Sequence, residues 1–153
     1  MVKKLTVLAA ALALVCSLPG CFYVTFDEYY ELSQDADEIA SIQILENLGN
    51  NVLADVALAE LEPIEFENFA AELEKLPFKN DMVIFLAAMD PSTHFGTYVV
   101  KVSYSDGAYE LISCADYQEY YNADGEMGYK HYSLSTAKWE SFLSEYMNES
   151  IIE

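Results

Sequence analysis

Arginine is missing altogether from this 153-residue chain, and its seven lysines face 26 acids, for a formal net charge of −19. That shortage excludes a nucleic-acid partner, because phosphate binding requires a basic surface that these residues cannot build. Cysteine is scarce, and Cys16, Cys21 and Cys114 do not supply the two cysteine pairs of a structural zinc site. His94 and His131 are the only histidines, so no His-Glu-x-x-His helix exists and few side chains can act as neutral-pH bases. The six glycines are scattered and form no phosphate-cradling loop. No apolar run reaches the roughly 20 residues of a bilayer-spanning helix. What is plentiful is apolar and aromatic bulk, 53% hydrophobic residues with 12 Tyr and 8 Phe, enough to exclude disorder of the whole chain.

The longest apolar run, Leu5 to Leu18, follows Lys3 and Lys4 and has the layout of a secretory signal. The Leu18-Pro19-Gly20-Cys21 that ends it resembles the lipobox of bacterial lipoproteins, departing from the family's usual Ala or Ser at Pro19. The resemblance implies a signal peptide over 1–20, lipid on Cys21, and a domain held on the extracytoplasmic face of a bacterial membrane. Ordinary secretion and an uncleaved anchor are the alternatives. Cleavage would remove two lysines and no acid, taking the charge from −19 to −21. Cys114 would then be the one thiol left, expected free and buried in its apolar surroundings.

Residues 21–38 are expected to hold the lipid site and a short aromatic and acidic tether, and 39–153 to form one domain. Phe22, Tyr23, Phe26, Tyr29 and Tyr30 suit either the headgroup region or packing on that domain. Alternation predicts a strand over Glu38–Glu46 and a turn at Gly49-Asn50-Asn51. Val52–Leu61 fits a strand or a helix, and pairing back across that turn favours the strand. Phe66, Phe69, Ala70, Leu73 and Leu76 share one face of a helix over Pro63–Leu76, which Pro77 stops. Met82–Met89 reads as a short buried strand. Tyr98, Val100, Val102 and Tyr104 lie on one face of another strand. A two-residue turn at Asp106-Gly107 then predicts the pairs Tyr104–Tyr109 and Val102–Leu111, with Lys101, Ser103 and Glu110 facing away. Asp116–Tyr121 and Met127–Leu134 form a second hairpin, and Ser135 opens a helix carrying Trp139, Phe142, Leu143 and Tyr146. The order predicts an α+β fold: a single small domain with an antiparallel sheet and two amphipathic helices packed on one face. In shape it is similar to small surface-lipoprotein domains of clostridia-type bacteria, a likeness that implies no activity.

Chemistry is sparsely signposted. Ser135-Thr136-Ala137-Lys138 resembles the Ser-x-x-Lys of penicillin-binding proteins and β-lactamases, but no Lys-Thr-Gly follows and Tyr120-Tyr121-Asn122 stands in the reverse order. No catalytic, metal or cofactor residue is assigned, and a non-enzyme is expected. Tyr120, Tyr121 and Tyr129 on the second hairpin are the candidate partner contacts, since tyrosine offers area and a hydroxyl at low entropic cost. The expected role is binding or structural, with the membrane reached through the N-terminal lipid. The alternative is an inhibitor or immunity-type protein that captures a basic protein.

Overall fold

The computed structural model describes residues 22–27, 30–49, 52–84, 95–114, 118–130 and 132–147. Within these, nine strands form two antiparallel sheets, accompanied by two α-helices. The strands are β1 Phe22–Asp27, β2 Ile39–Glu46, β3 Ala59–Glu60, β4 Lys79–Ile84, β5 Tyr98–Tyr104, β6 Tyr109–Ile112, β7 Gln118–Tyr121, β8 Met127–Lys130 and β9 Tyr132–Ser133. The helices are α1 Phe66–Leu73 and α2 Thr136–Met147. The larger sheet has the order β3-β2-β5-β6-β7-β8 and the smaller one β1-β4-β9.

Alternating side chains put Ile42 and Ile44 of β2, and Val100, Val102 and Tyr104 of β5, into one buried cluster. The same cluster takes in Phe69 and Leu73 of α1 and Trp139, Phe142 and Leu143 of α2. Helix α1 is shorter than the expected Pro63–Leu76, starting at Phe66 and ending at Leu73. Pro63 occupies the first turn, and Glu62 and Glu65 exchange reciprocal capping bonds around a one-turn 3₁₀ segment that leads into the α-helix. The carbonyl of Ser135 accepts from the N–H groups of Lys138 and Trp139, which opens α2. Between the helices, the rings of Phe69 and Phe142 lie 5.2 Å apart, and Tyr146 donates to Glu72. Trp139 is almost fully buried and donates its indole N–H to the carbonyl of Tyr98.

Several strands depart from the sequence reading. Val52–Leu61 is neither helix nor continuous strand. Its N–H groups reach β2 at Ala54 and Leu58, bonding the carbonyls of Glu46 and Ile44. Four residue steps on this side therefore span two on β2, and the excess loops outward at Val56, which is 78% exposed. Only Ala59–Glu60 pairs regularly. Strand β4 begins at Lys79, earlier than the apolar run suggested, and residues 85–89 of that run lie outside the described residues. The segment expected as one strand over Met127–Leu134 is divided, because β8 pairs with β7 in the larger sheet and β9 with β4 in the smaller. Residues 22–27 pair along their length with β4, and Tyr30 is fully buried, so the segment after Cys21 packs on the domain.

The first hairpin carries the correction with the largest consequence. Its loop has three residues, Ser105-Asp106-Gly107, closed by a bond from Tyr104 N–H to the Ala108 carbonyl. Gly107 N–H bonds back to the Tyr104 carbonyl, Gly107 adopts φ +93°, and the Asp106 carboxylate accepts from Ala108 N–H. This is a turn followed by a left-handed glycine, the common three-residue hairpin. The register becomes Ser103↔Tyr109, Val102↔Glu110, Lys101↔Leu111 and Val100↔Ile112, one residue away from the predicted pairing. Such a slip exchanges the two faces of a strand. Glu110, expected to face away with Lys101, is thus fully buried on the side of Val102, while Tyr109 and Leu111 turn to the other face.

Candidate functional site

Two polar assemblies result from that register, one on each face of the larger sheet. On the core side, Glu110 is the hub. Its carboxylate accepts from the hydroxyl of Tyr30 at 2.6 Å, from the hydroxyl of Tyr104, from Ser33 N–H at 2.6 Å and from the Lys130 ammonium at 2.9 Å. Lys130 is 24% exposed, while the Glu110 side chain is 0% exposed. The ammonium also donates to the Glu31 carbonyl at 2.7 Å and sits 4.9 Å from the centroid of the Tyr30 ring. A buried carboxylate costs several kcal/mol unless paired and fully hydrogen-bonded, and here both conditions are met. Burial first, and then the charge of Glu110, push the Tyr30 and Tyr104 hydroxyls well above the ordinary tyrosine range. The two phenols are therefore held neutral.

On the other face the ladder aligns Lys101, Leu111, Glu119 and Tyr129 in one row and Ser103, Tyr109, Tyr121 and Met127 in the next. Tyr109 and Tyr121 stack with centroids 4.5 Å apart and planes 12° from parallel. The Lys101 ammonium lies 4.9 Å from the Tyr109 centroid, and Tyr121 donates to Glu119 at 2.8 Å. Partial desolvation, followed by the bond to Glu119 and its charge, raises the Tyr121 hydroxyl, so it remains a neutral donor. Beneath them Phe95, Val99 and Leu111 form a small second core, which among the described residues includes no helical side chain. Met127 and Tyr129 are 47% and 38% exposed. This face is aromatic, with Glu119 buried within it. Its aromatic rings offer contact area that suits a cationic side chain laid on them.

The three tyrosines expected as partner contacts are thereby separated. Tyr121 and Tyr129 share the outer face and are joined there by Tyr109. Tyr120 points the other way, opposite Glu110 and Gly128, and packs on the main core. Tyr109 was missed because the predicted register turned it inward. Glu110 and Lys130 were missed too, although an acid alternating with Ala108 and Ile112 on an inward face is a signal that a buried counter-charge must exist.

Ser135 and Lys138 are both exposed at the start of α2. Cys114 is free but half-buried, less enclosed than expected, with its Sγ 3.7 Å from Thr136 Oγ1. A Cβ placed on Gly96 would lie 2.4 Å from that sulfur, so the thiol occupies the space a larger residue would need. A groove of about 630 Å³ runs between Ala36–Ala40 and Pro63–Glu67, with Asp37 and Glu67 in its lining. Among the described residues no group of three or more His, Cys, Asp or Glu is placed to hold a metal ion, and no helix is long and apolar enough to cross a membrane. Cys21, His94 and His131 lie outside the described residues. Comparison of the chain with protein-family models, curated proteins and solved structures finds no match.

Proposed function

We propose that this chain is a non-catalytic, extracytoplasmic domain, lipid-anchored through Cys21 to a bacterial membrane, and that its role is to bind. In this reading the two amphipathic helices cover one face of the larger sheet, and the other face meets the partner. The favoured partner is a basic protein, which makes an inhibitor or immunity-type role the specific form of the proposal. The observation that carries it is the gathering of Tyr109, Tyr121 and Tyr129 with Glu119 and Met127 on that other face, in a chain with 26 acids and seven basic residues. Long-range charge would accelerate encounter with a cationic surface, and the aromatic rings would supply the short-range contact that distinguishes one basic partner from another.

The test uses the lipidated chain as bait for envelope proteins at about 0.15 M salt, where screening is strong beyond roughly 8 Å. Specific capture retains a subset of basic proteins, and replacing Tyr121 and Tyr129 by Ser, which leaves the charge unchanged, reduces that retention roughly tenfold or more, as loss of aromatic hot spots does. Retention that follows partner charge alone and ignores both substitutions rejects capture through this face. In the same preparation Cys21→Ser abolishes lipid labelling; labelling that persists in this variant rejects the anchor.

A further inference from the structure

The Glu110 cluster bonds the chain in an uneven way. Of its partners, Tyr104 and Lys130 belong to the larger sheet, while Tyr30, Ser33 N–H and the Glu31 carbonyl all belong to the segment between β1 and β2. Nearby, Gln34 donates to the Asp106 carboxylate at 2.9 Å, tying the same segment to the tip of the first hairpin. Tyr30 is fully buried, with Phe78 and Tyr132 rings 5.3 and 5.1 Å from its own. On its N-terminal side, β1 begins at Phe22, the residue immediately after Cys21, and pairs from Phe22↔Ile84 to Asp27↔Lys79. No slack therefore separates the first paired residue from the cysteine.

We infer that Glu110 and Lys130 fasten the anchor-bearing segment onto the sheet, so that the domain is seated against the bilayer and not suspended from it. The inference rests on the lipid-anchor reading for its membrane consequence, but the fastening itself belongs to the described residues. With the segment fastened, a lipid on Cys21 lies within about one residue length, roughly 3.5 Å, of the paired chain. With it released and β1 unzipped, the 17 residues from Phe22 to Glu38 could extend to about 60 Å. The occupant of the surface next to β1 is then a lipid headgroup layer. The fastening also decides how far from the membrane the tyrosine face can reach.

The test combines proteolysis with energy transfer on the full chain reconstituted in phosphatidylcholine vesicles carrying a dansyl-labelled lipid. Trp139, the single tryptophan, is both the reporter of global folding and the transfer donor. In the wild type, cleavage by chymotrypsin or a Glu-specific protease between residues 28 and 38 proceeds no faster than global unfolding, and transfer to the headgroup label is strong. In Tyr30→Phe/Lys130→Met the Trp139 unfolding midpoint falls, since a buried pair is broken. Cleavage in that segment still rises roughly tenfold or more above the variant's own rate of global unfolding through sub-global opening, while transfer falls. If that variant does not fold, Ser33→Pro, which deletes one backbone donor to Glu110, decides in the same way. Wild-type cleavage at the rate of an unstructured peptide overturns the fastening. So does cleavage in the variants that never departs from global unfolding. Transfer that is absent in a wild-type chain lacking lipid label, with protected cleavage sites, overturns the anchor reading and leaves the fastening standing.

Discussion

Glu110 shows how one side chain can be costly alone and stabilising in company. Replaced by alanine, it would leave two phenols, a backbone N–H and an ammonium facing one another without their acceptor, a loss of about 3–5 kcal/mol for breaking a buried pair. Its neighbours also give the molecule an alkaline limit. Tyr30 and Tyr104 are held protonated in the fold, whereas in the unfolded chain they release their protons near pH 10. Their raised values mean that the stabilisation is complete below pH 10 and is lost as pH climbs above it, because the native state then binds more protons than the unfolded one. The slope is about 1.4 kcal/mol per pH unit for each tyrosine, or roughly 2.7 for both. Tyr109, Tyr121 and Tyr146 are raised as well and add to this slope. Urea unfolding between about pH 9 and 11.5 checks it, with Tyr104→Phe expected to lower the steepness by about 1.4 kcal/mol per pH unit. A slope that is unaffected by that substitution would show that these phenols are not what limits the fold.

At the scale of elements, the helices were legible because their evidence is internal to each segment. Phe66, Phe69, Ala70 and Leu73 repeat on one face, and Pro63 and Pro77 bracket them. Strand alternation was equally plain in β2 and β5. The strand partners were not legible, because register depends on how many residues a loop uses, and Asp106-Gly107 satisfies a two-residue or a three-residue turn. The longer loop prevails where it places Ala108 and Ile112 in the core and gives Glu110 its donors. The tyrosine face inherits this: Tyr121 and Tyr129 could be proposed from composition, but Tyr109 joins them only in the observed register, and Tyr120 leaves. Gly107 is the backbone element of that choice. Nothing lies within 4 Å of a Cβ placed there, so a side chain meets only the strain of φ +93°. Gly107→Ala is expected to cost about 1–2 kcal/mol, while Gly107→Asn costs less, since Asn tolerates the left-handed region. Chemical denaturation of the two variants measures the difference, and equal loss from both would point to a steric cause.

Across the whole molecule, charge is the dominant unbalanced quantity. The chain carries −19, and the cleaved form −21, yet Glu110–Lys130 is the ion pair among the described residues that is built into the interior. Most of the other described acids, Glu60, Glu62, Glu67, Asp106 and Glu126 among them, are exposed, where like charges repel one another and destabilise the compact state. Screening acts on these two kinds of interaction unequally. Raising salt from about 0.01 M to 1 M shortens the Debye length from roughly 30 Å to 3 Å, which suppresses surface repulsion and barely reaches a buried pair. Added sodium chloride should therefore stabilise this protein, by about 1–2 kcal/mol, or a rise in Tm of roughly 3–8 °C for a chain of this size. An uncharged osmolyte at matched osmolality serves as the control that separates screening from exclusion effects. The same salt would slow capture of a basic partner, since attraction across the interface is screened as readily as repulsion within the domain. A protein whose stability rises with salt while its association rate falls has its acids working against the fold and for the encounter. Destabilisation by salt would instead mean that surface ion pairs contribute more to this fold than like-charge repulsion removes.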